Sequence, residues 1–270
     1  MKKAFYLVFF LILSVIEAGE AFPYPRTIIL ATTTSLQDSG LLEVLIPAFQ
    51  EETGYLVKAI AVGSGQALAM GCRGEADVLF VHSPEEERAF MGKGYGVRRW
   101  EVMENFFYLF GPPDDPASVK KTPSMAGAFL RIAQKGALFL SRGDRSGTHA
   151  MERAIWKRAG IIPDGAKWYH ETGLGMGQTL LIADEKGAYT LADSSTYTVL
   201  KKRLNIKILH EGKGEYRNVY SVIEVNPAFF KKMNAKGAGL FYQFLQSGKA
   251  RKLIERFGID KYGAPLFYVR

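Results

Sequence analysis

The chain reads as an α/β protein built in two lobes. Three observations carry that reading. Continuous apolar runs such as Thr27–Ala31 and Ala76–Val81 suit strands buried on both faces. Segments with apolar residues at helical spacing separate them, and the resulting β-α-β-α-β order implies parallel pairing with crossover helices. A second unit of the same kind starts at Ala137–Leu140, after the chain break Gly111-Pro112-Pro113-Asp114-Asp115-Pro116.

Taken in order, residues 1–21 read as a secretory signal peptide. Lys2 and Lys3 form its basic start, and Ala4–Ile16 is apolar but short for a membrane span. Small residues at Ala18, Gly19 and Ala21 place the cut after Ala21; an uncleaved anchor is the other reading. No later segment is expected to cross a membrane, so the mature chain is expected in the periplasm or another extracytoplasmic space. Thr27–Ala31 is the first strand. Leu41, Leu42, Leu45, Ile46 and Phe49 mark a helix that Gly54 ends, with Pro47 expected to kink it or loosen its first turns. Tyr55–Val62 is a strand, Gly63-Ser64-Gly65 opens a helix over Gln66–Cys72, and Ala76–Val81 is the next strand.

Phe106–Phe110 is a strand that leads into the crossover. Beyond it come strand Ala137–Leu140, loop Ser141–Ser146, helix Gly147–Ala159 and the turn Pro163-Asp164-Gly165. Leu180–Glu185 reads as a short helix, Gly187–Leu191 as a strand, and Tyr220–Val225 as a strand that carries the chain back. Gly239–Phe257 reads as one terminal helix with Leu240, Phe241, Phe244 and Leu245 on one face. Two crossings between two α/β units predict a cleft above a hinge. Lobe I is expected over 22–108 and 215–270, and lobe II over 109–214.

Composition narrows the function. The 270 residues are 47% hydrophobic and 23% charged, which suits an ordinary globular core. The formal charge is +8, and it stays there without residues 1–21, which hold two Lys and two Glu. A basic surface steers anions inward. An exported chain with no basic-aromatic motif speaks against nucleic acid. Cys72 is the single cysteine, which excludes an intrachain disulfide and a thiolate metal site. His82, His149, His170 and His210 show no metal spacing and read as structural or surface histidines. Neither metal nor cofactor is expected, and the chain is taken as a monomer.

Two loops carry the chemistry. Ser141-Arg142-Gly143-Asp144-Arg145-Ser146-Gly147-Thr148-His149 follows a strand and opens a helix. Such a junction leaves unpaired amides at the positive end of the helix dipole, a ready anion site. Arg142 adds a fixed fork suited to a tetrahedral oxyanion. Asp144 orients Arg142 or caps a turn, Ser146 is a natural N-cap, and Thr148 can point its hydroxyl at a ligand. The competing reading is a structural Arg142–Asp144 pair on the surface. Thr32-Thr33-Thr34-Ser35 stands at a similar junction. Thr33, Thr34 and Ser35 are candidate donors there, although Ser35 with Asp38 also fits a capping box.

Ser64 in Gly63-Ser64-Gly65 is a third candidate hydroxyl. Tyr189–Tyr197 is a further polar loop whose hydroxyls either reach the cleft or cap the next helix. Gly173–Gln178 lacks the Gly-Lys-Ser/Thr ending of a phosphate loop and suits a mobile cleft rim. A hydrolase built on Asp144, Ser146 and His149 is the alternative from another class. Those residues stand too close in sequence for a triad, and there is no G-x-S-x-G elbow.

These loops carry a resemblance. With Ala31–Ser35, Val62–Leu68, Ala76–His82, Ser141–Glu152 and Tyr189–Asp193, the chain resembles the tungstate-binding solute receptors of bacterial ABC importers. The similarity runs from about Thr27 to the C-terminus. It implies the type II periplasmic-binding-protein fold: two mixed sheets flanked by helices, joined by a two-strand hinge. It also implies an ABC permease and ATPase as partners. Oxyanion contacts would then fall on Thr33, Thr34, Ser35, Ser64, Arg142 and Thr148, with Ser146 as a further candidate. Ser194 departs from the pattern, since a basic residue is expected after Asp193, and Ser64 stands where Thr is common.

The ligand chemistry agrees with the resemblance. Tungstate and molybdate are fully ionised at neutral pH and present only acceptors. A pocket of hydroxyls, amides and one Arg presents only donors. Hydrogen phosphate carries a proton and needs an acceptor, which Asp144 would supply if turned inward. A phosphate receptor of the same fold is therefore the nearest alternative. The preference for tungstate over molybdate rests on the resemblance alone.

Overall fold

The computed structural model describes residues 26–212 and 214–270. The signal-peptide reading over residues 1–21 lies outside the described residues. Among the described residues, no helix is long and apolar enough to cross a membrane.

Strand β1 (Thr27–Thr33) feeds the short helix α1 (Thr34–Ser39), and α2 (Leu42–Thr53) follows. Gly54 ends α2 in the left-handed conformation, as its sequence position predicts. The helix runs on through Pro47, which is partly excused by its place. Pro47 and Glu43 both face solvent, so the carbonyl left without an amide partner is on the wet side. Next come β2 (Leu56–Val62), α3 (Ser64–Cys72), β3 (Val78–Val81), α4 (Pro84–Gly92) and the long strand β4 (Gly96–Gly111). The second half holds α5 (Met125–Lys135), β5 (Phe139–Ser141), α6 (Gly147–Arg158), β6 (Tyr169–Glu171) and α7 (Met176–Lys186). It continues through β7 (Thr190–Asp193), α8 (Ser194–Leu200) and β8 (Lys207–His210). The chain returns on β9 (Arg217–Val225) and closes with α9 (Ala235–Gln246), α10 (Gly248–Arg256), α11 (Ile259–Tyr262) and β10 (Tyr268–Val269).

The terminal helix expected over Gly239–Phe257 is two helices. Ser247 breaks it by adopting an extended conformation and accepting from the Ala250 N–H as the N-cap of α10.

The main sheet has the strand order β10-β4-β9-β3-β1-β2. Strands β2, β1 and β3 are parallel, as the βαβ reading requires, while β9 joins β3 antiparallel. The sheet is therefore mixed. The two mixed sheets expected share strand β4, which crosses from one to the other. It pairs β9 over Gly96–Phe106, then β7 over Phe107–Phe110 and β8 over Leu109–Gly111. A strand of 16 residues is long enough to carry a ladder in each half. The pair β5–β6 is a separate parallel ladder, tied by a bridge between Phe139 and Tyr189.

Side-chain alternation divides the core. On β1, Leu30 faces one cluster with Leu45, Phe49, Phe80, Tyr220 and Phe241, while Ala31 faces another with Leu79, Val81 and Ile223. On β4, Leu109 packs with Phe129, Phe139 and Trp156, and Phe110 packs with Met176, Leu180 and Tyr197. The ring centroids of Phe129, Phe139 and Trp156 stand 4.5–5.3 Å apart. This aromatic triangle anchors the helix α6 that the sequence placed behind the Arg142 loop.

Helix α9 lies close on β1. A Cβ at Gly237 would stand 2.4 Å from Ile28 Cγ2 and 2.7 Å from the Tyr55 ring. The contact admits no methyl group without shifting core side chains. Gly237→Ala is expected to cost about 1–3 kcal/mol by overpacking. The check is the urea midpoint at unchanged m-value; an unaltered midpoint would refute the close packing.

Candidate functional site

The carboxyl ends of parallel strands are where α/β sheets gather their ligands, at the point where crossovers diverge. Here β1 sends one crossover to β2 and is flanked on its other side by β3. Thr33 ends β1, Ser64 follows β2, and His82 follows β3. In the second half, Ser141 ends β5 and Arg142 follows it. The structure brings these ends together. A Cβ at Gly63 would stand 3.6 Å from the Asp144 carbonyl oxygen, and one at Gly147 would stand 2.3 Å from the His82 carbonyl oxygen. Gly147 is thus the residue that lets the start of α6 approach β3.

Arg142 is 2% exposed. One Asp144 carboxylate oxygen takes its Nη2, and the other accepts from the Ser146 N–H at 3.1 Å. Asp144 therefore both orients Arg142 and caps the turn, with one hydrogen bond on each carboxylate oxygen. Arg142 is buried and Asp144 partly buried, so the pair is not the fully solvated one of the surface alternative. Arg142 Nε and Nη1 are buried with no hydrogen-bond partner. So is Thr148 Oγ1, in the first turn of α6. Buried donors are normally paired. His149 Nε2 is a fourth, and four unpaired donors around one helix N-terminus point to a place for an acceptor.

Ser146 caps α6 by accepting from the His149 N–H at 3.3 Å. His149 Nδ1 accepts from the Arg145 N–H at 3.1 Å, and burial holds its pKa below the usual value. No Ser146–His149 relay is formed. The φ of Arg145 is 57°, a left-handed strain held by these loop bonds while its side chain stays exposed.

At the first loop the cap is Thr33, not Ser35. Thr33 Oγ1 accepts from the Leu36 N–H at 3.3 Å and lies 3.2 Å from Ser35 Oγ. Ser35 Oγ lies 3.1 Å from His82 Nε2. Both hydroxyls turn inward. Thr34 instead lines a cavity of about 400 Å³ with Asp38, Gly175, Gln178 and Thr196. Ser64 is fully buried, and its hydroxyl oxygen accepts weakly from the His82 N–H at 3.4 Å.

The Tyr189–Tyr197 segment is a strand and a capped helix. Asp193 caps α8 and is satisfied by the Thr196 N–H, the Thr196 and Ser195 hydroxyls, and Asn105 Nδ2. Ser194 Oγ accepts from the Phe106 N–H at 3.3 Å, which gives this departure from the expected basic residue a structural role. Gly173–Gln178, read as a flexible rim, includes Gly175, the extended residue that opens α7 beside Thr34. The reading missed that helix start because glycines also signal loops.

It also missed His82, Asn105 and Asn218. His82 is buried and stacks on Tyr220 at 4.5 Å. Its place directly after a parallel strand was the available signal. Asn105 and Asn218 lie 113 residues apart and meet only through the β4–β9 register. Among the described residues, no group of three or more His, Cys, Asp or Glu could hold a metal ion.

With this geometry in hand, the likeness to known proteins is specific. Residues 20–249 match the PBP superfamily domain. The chain is 48% identical over 243 residues to the "Tungstate-binding protein TupA" of Peptoclostridium acidaminophilum, covering 89% of this chain and 85% of that protein. A solved structure of the tungstate ABC transporter from Geobacter sulfurreducens matches at TM-score 0.76 and 41% identity, over 86% of this chain and 98% of that one. The tungstate-binding protein TupA from Desulfovibrio alaskensis G20 matches at TM-score 0.77 and 40% identity, over 90% and 98%. The chain belongs to this family of periplasmic binding proteins.

Behind the Arg142 loop, the family fold buries one carboxyl. Glu152 on α6 accepts from Trp156 Nε1 at 3.1 Å and from the Tyr169 hydroxyl at 2.8 Å, and also bonds Ser141. Burial outweighs these donors and raises its pKa to about 7. The folded state therefore holds a proton that the unfolded state has released. Its contribution to stability is fully present below about pH 4.5 and is lost as pH rises through about 7. Glu152→Gln should remove that loss, worth up to about 3 kcal/mol between those limits. Denaturant titrations of both proteins at several pH values read it directly; parallel pH profiles would show that folding does not shift the Glu152 pKa.

Proposed function

We propose that this chain is an extracytoplasmic receptor that closes two lobes over tungstate, or the related oxyanion molybdate. It then hands the anion to the permease and ATPase of an ABC importer. The observation that carries this reading is the set of buried donors without partners, Arg142 Nε and Nη1 and Thr148 Oγ1. The names of its relatives point the same way. Their role in transport supports a binding protein rather than an enzyme.

Thr34, Ser64, Arg142 and Thr148 are the proposed side-chain donors. Ser146 caps the helix whose first turn faces the anion, and Thr33 and Ser35 shape the turn that carries Thr34. The lobes are taken as 22–108 with 215–270, and 109–214. The change of partners along β4 after Phe106 supports that division. Residues 1–21 are proposed as the export signal, and the mature receptor as a monomer.

An acceptor-only dianion suits this donor set. Asp144 is engaged by Arg142 and by the Ser146 N–H, so it serves the loop rather than standing open as an acceptor for hydrogen phosphate. Titration with tungstate, molybdate, sulfate and phosphate tests the reading by heat of binding and thermal unfolding. Tungstate at about a thousand times its dissociation constant should stabilise the fold by about 4 kcal/mol, with little response to sulfate or phosphate. Arg142→Ala should weaken tungstate binding by an order of magnitude or more while the protein stays folded. Unchanged affinity in that variant would sink the assigned site.

A further inference from the structure

We infer that His82 is a positioning residue for the oxyanion site, acting as a neutral acceptor whose Nε2 takes the Ser35 hydroxyl hydrogen and fixes the Thr33–Thr34–Ser35 turn. The inference rests on the receptor reading above.

The polarity follows from a buried chain of hydrogen bonds. It starts at Asp193, an acceptor at its carboxylate. Asn105 Nδ2 donates to Asp193 Oδ1 at 3.2 Å and to Ser195 Oγ at 2.8 Å, which leaves Asn105 Oδ1 as an acceptor. Asn218 Nδ2 donates to that oxygen at 2.8 Å and to the Tyr220 hydroxyl at 3.1 Å. Asn218 Oδ1 then faces His82 Nδ1 at 2.7 Å and must accept. The proton of the neutral imidazole is thus on Nδ1, and Nε2 carries a lone pair. The Ser35 hydroxyl, 3.1 Å away, is then the donor to that lone pair, and its oxygen is left to accept from the Thr33 hydroxyl at 3.2 Å and from the Tyr220 hydroxyl. Each link has its donor and acceptor set by the link before it.

The chain spans the molecule. Asn105 and Asn218 are register partners on β4 and β9, two residues before β4 changes partners. Asp193 and Ser195 belong to β7 and α8, and Ser35 to α1. His82 therefore ties the first ligand loop to the crossing strands and, through them, to the second half of the chain.

The Ser35–His82–Asn218 relay has the order of a nucleophile, base and orienting group. Its burial argues against that use. Desolvation lowers the His82 pKa to about 4, too weak a base for chemistry at neutral pH. The charged groups acting on the ring are Asp193 from β7, with Arg142 and Asp144 from the loop before α6. The groups packed on it from α1, α3, α6 and β9 are Ser35, Ser64, Gly147, Asn218 and Tyr220, all uncharged at neutral pH.

Two measurements on the mature protein test the inference. The first is long-range proton–nitrogen NMR of the histidine rings, with His82 assigned from its loss in His82→Phe. The expected signature is a neutral ring protonated at Nδ1 from pH 8 down to 5. A ring protonated at Nε2, or one that titrates near 6.5, would overturn the proposal. The second is a double-mutant cycle on tungstate affinity with Ser35→Ala and His82→Phe. Each single variant should lose tenfold or more, and the double variant should lose no more than the weaker binder of the two. Losses that multiply would mean that the two residues act separately, and would also overturn it. If His82→Phe does not fold, the NMR signature of the wild type, assigned by Asn218→Asp perturbation, decides. A wild type that takes no tungstate would instead overturn the receptor reading, with the tautomer still read independently.

Discussion

A guanidinium buried at 2% exposure with only one of its three nitrogens bonded sets the terms for the surrounding structure. Burying a charge costs several kcal/mol unless partners replace its water. Asp144 meets part of that cost, and the aromatic core around Trp156 holds α6 and its preceding loop in place. The unpaired face of Arg142 is tolerable only where something else bonds to it for part of the protein's life. In the proposed receptor that something is an anion that comes and goes. Such a site is poor as a purely structural joint, because a structural joint would have paired all the donors.

The fold places the remaining donors by topology rather than by local sequence. Four strand ends converge because β1 lies between β3 and β2 and the second half is hung from the far end of β4. The hydroxyls of the first loop serve the protein itself: Thr33 caps α1 and Ser35 is held by His82. Thr34 between them lines a cavity, while Thr32 is buried and donates to the Phe80 carbonyl oxygen. A row of four hydroxyl residues is thus divided between building the turn and lining the cleft.

Local sequence made much of this readable. The Ser141–His149 loop announced its strand, its cap at Ser146 and its helix, since each depends on neighbours in the chain. The β1–α1 junction was equally legible, but not which residue caps it, because Thr33 and Ser35 are equally competent as caps and only the angle of the β1 exit decides. Strand β4 was seen only in its apolar end, Phe106–Phe110. Its first half alternates charged residues such as Arg98, Arg99 and Glu101, whose place in the sheet comes from pairing with β9 and from ion pairs to Glu224 and Glu87. The polar chain through Asn105 and Asn218 had no local trace at all, since its links are made by register between strands distant in sequence.

The charges nearest the site also bear on how an anion is held. Arg142 is countered by Asp144 in direct contact, and Asp193 is close enough to act on His82, Tyr220 and Asp38. Asp38, half buried nearby, has its pKa raised first by burial and further by Asp193. The local sum is not positive. The carboxylates of Asp144 and Asp193 offset the charge of Arg142, so net charge contributes little to holding a dianion. The overall +8 acts at longer range, on encounter. Retention must then come from oriented neutral donors and the near edge of one guanidinium, which reward an oxygen placed within hydrogen-bond reach and give little to one that is not. Such a site selects by geometry rather than by net charge.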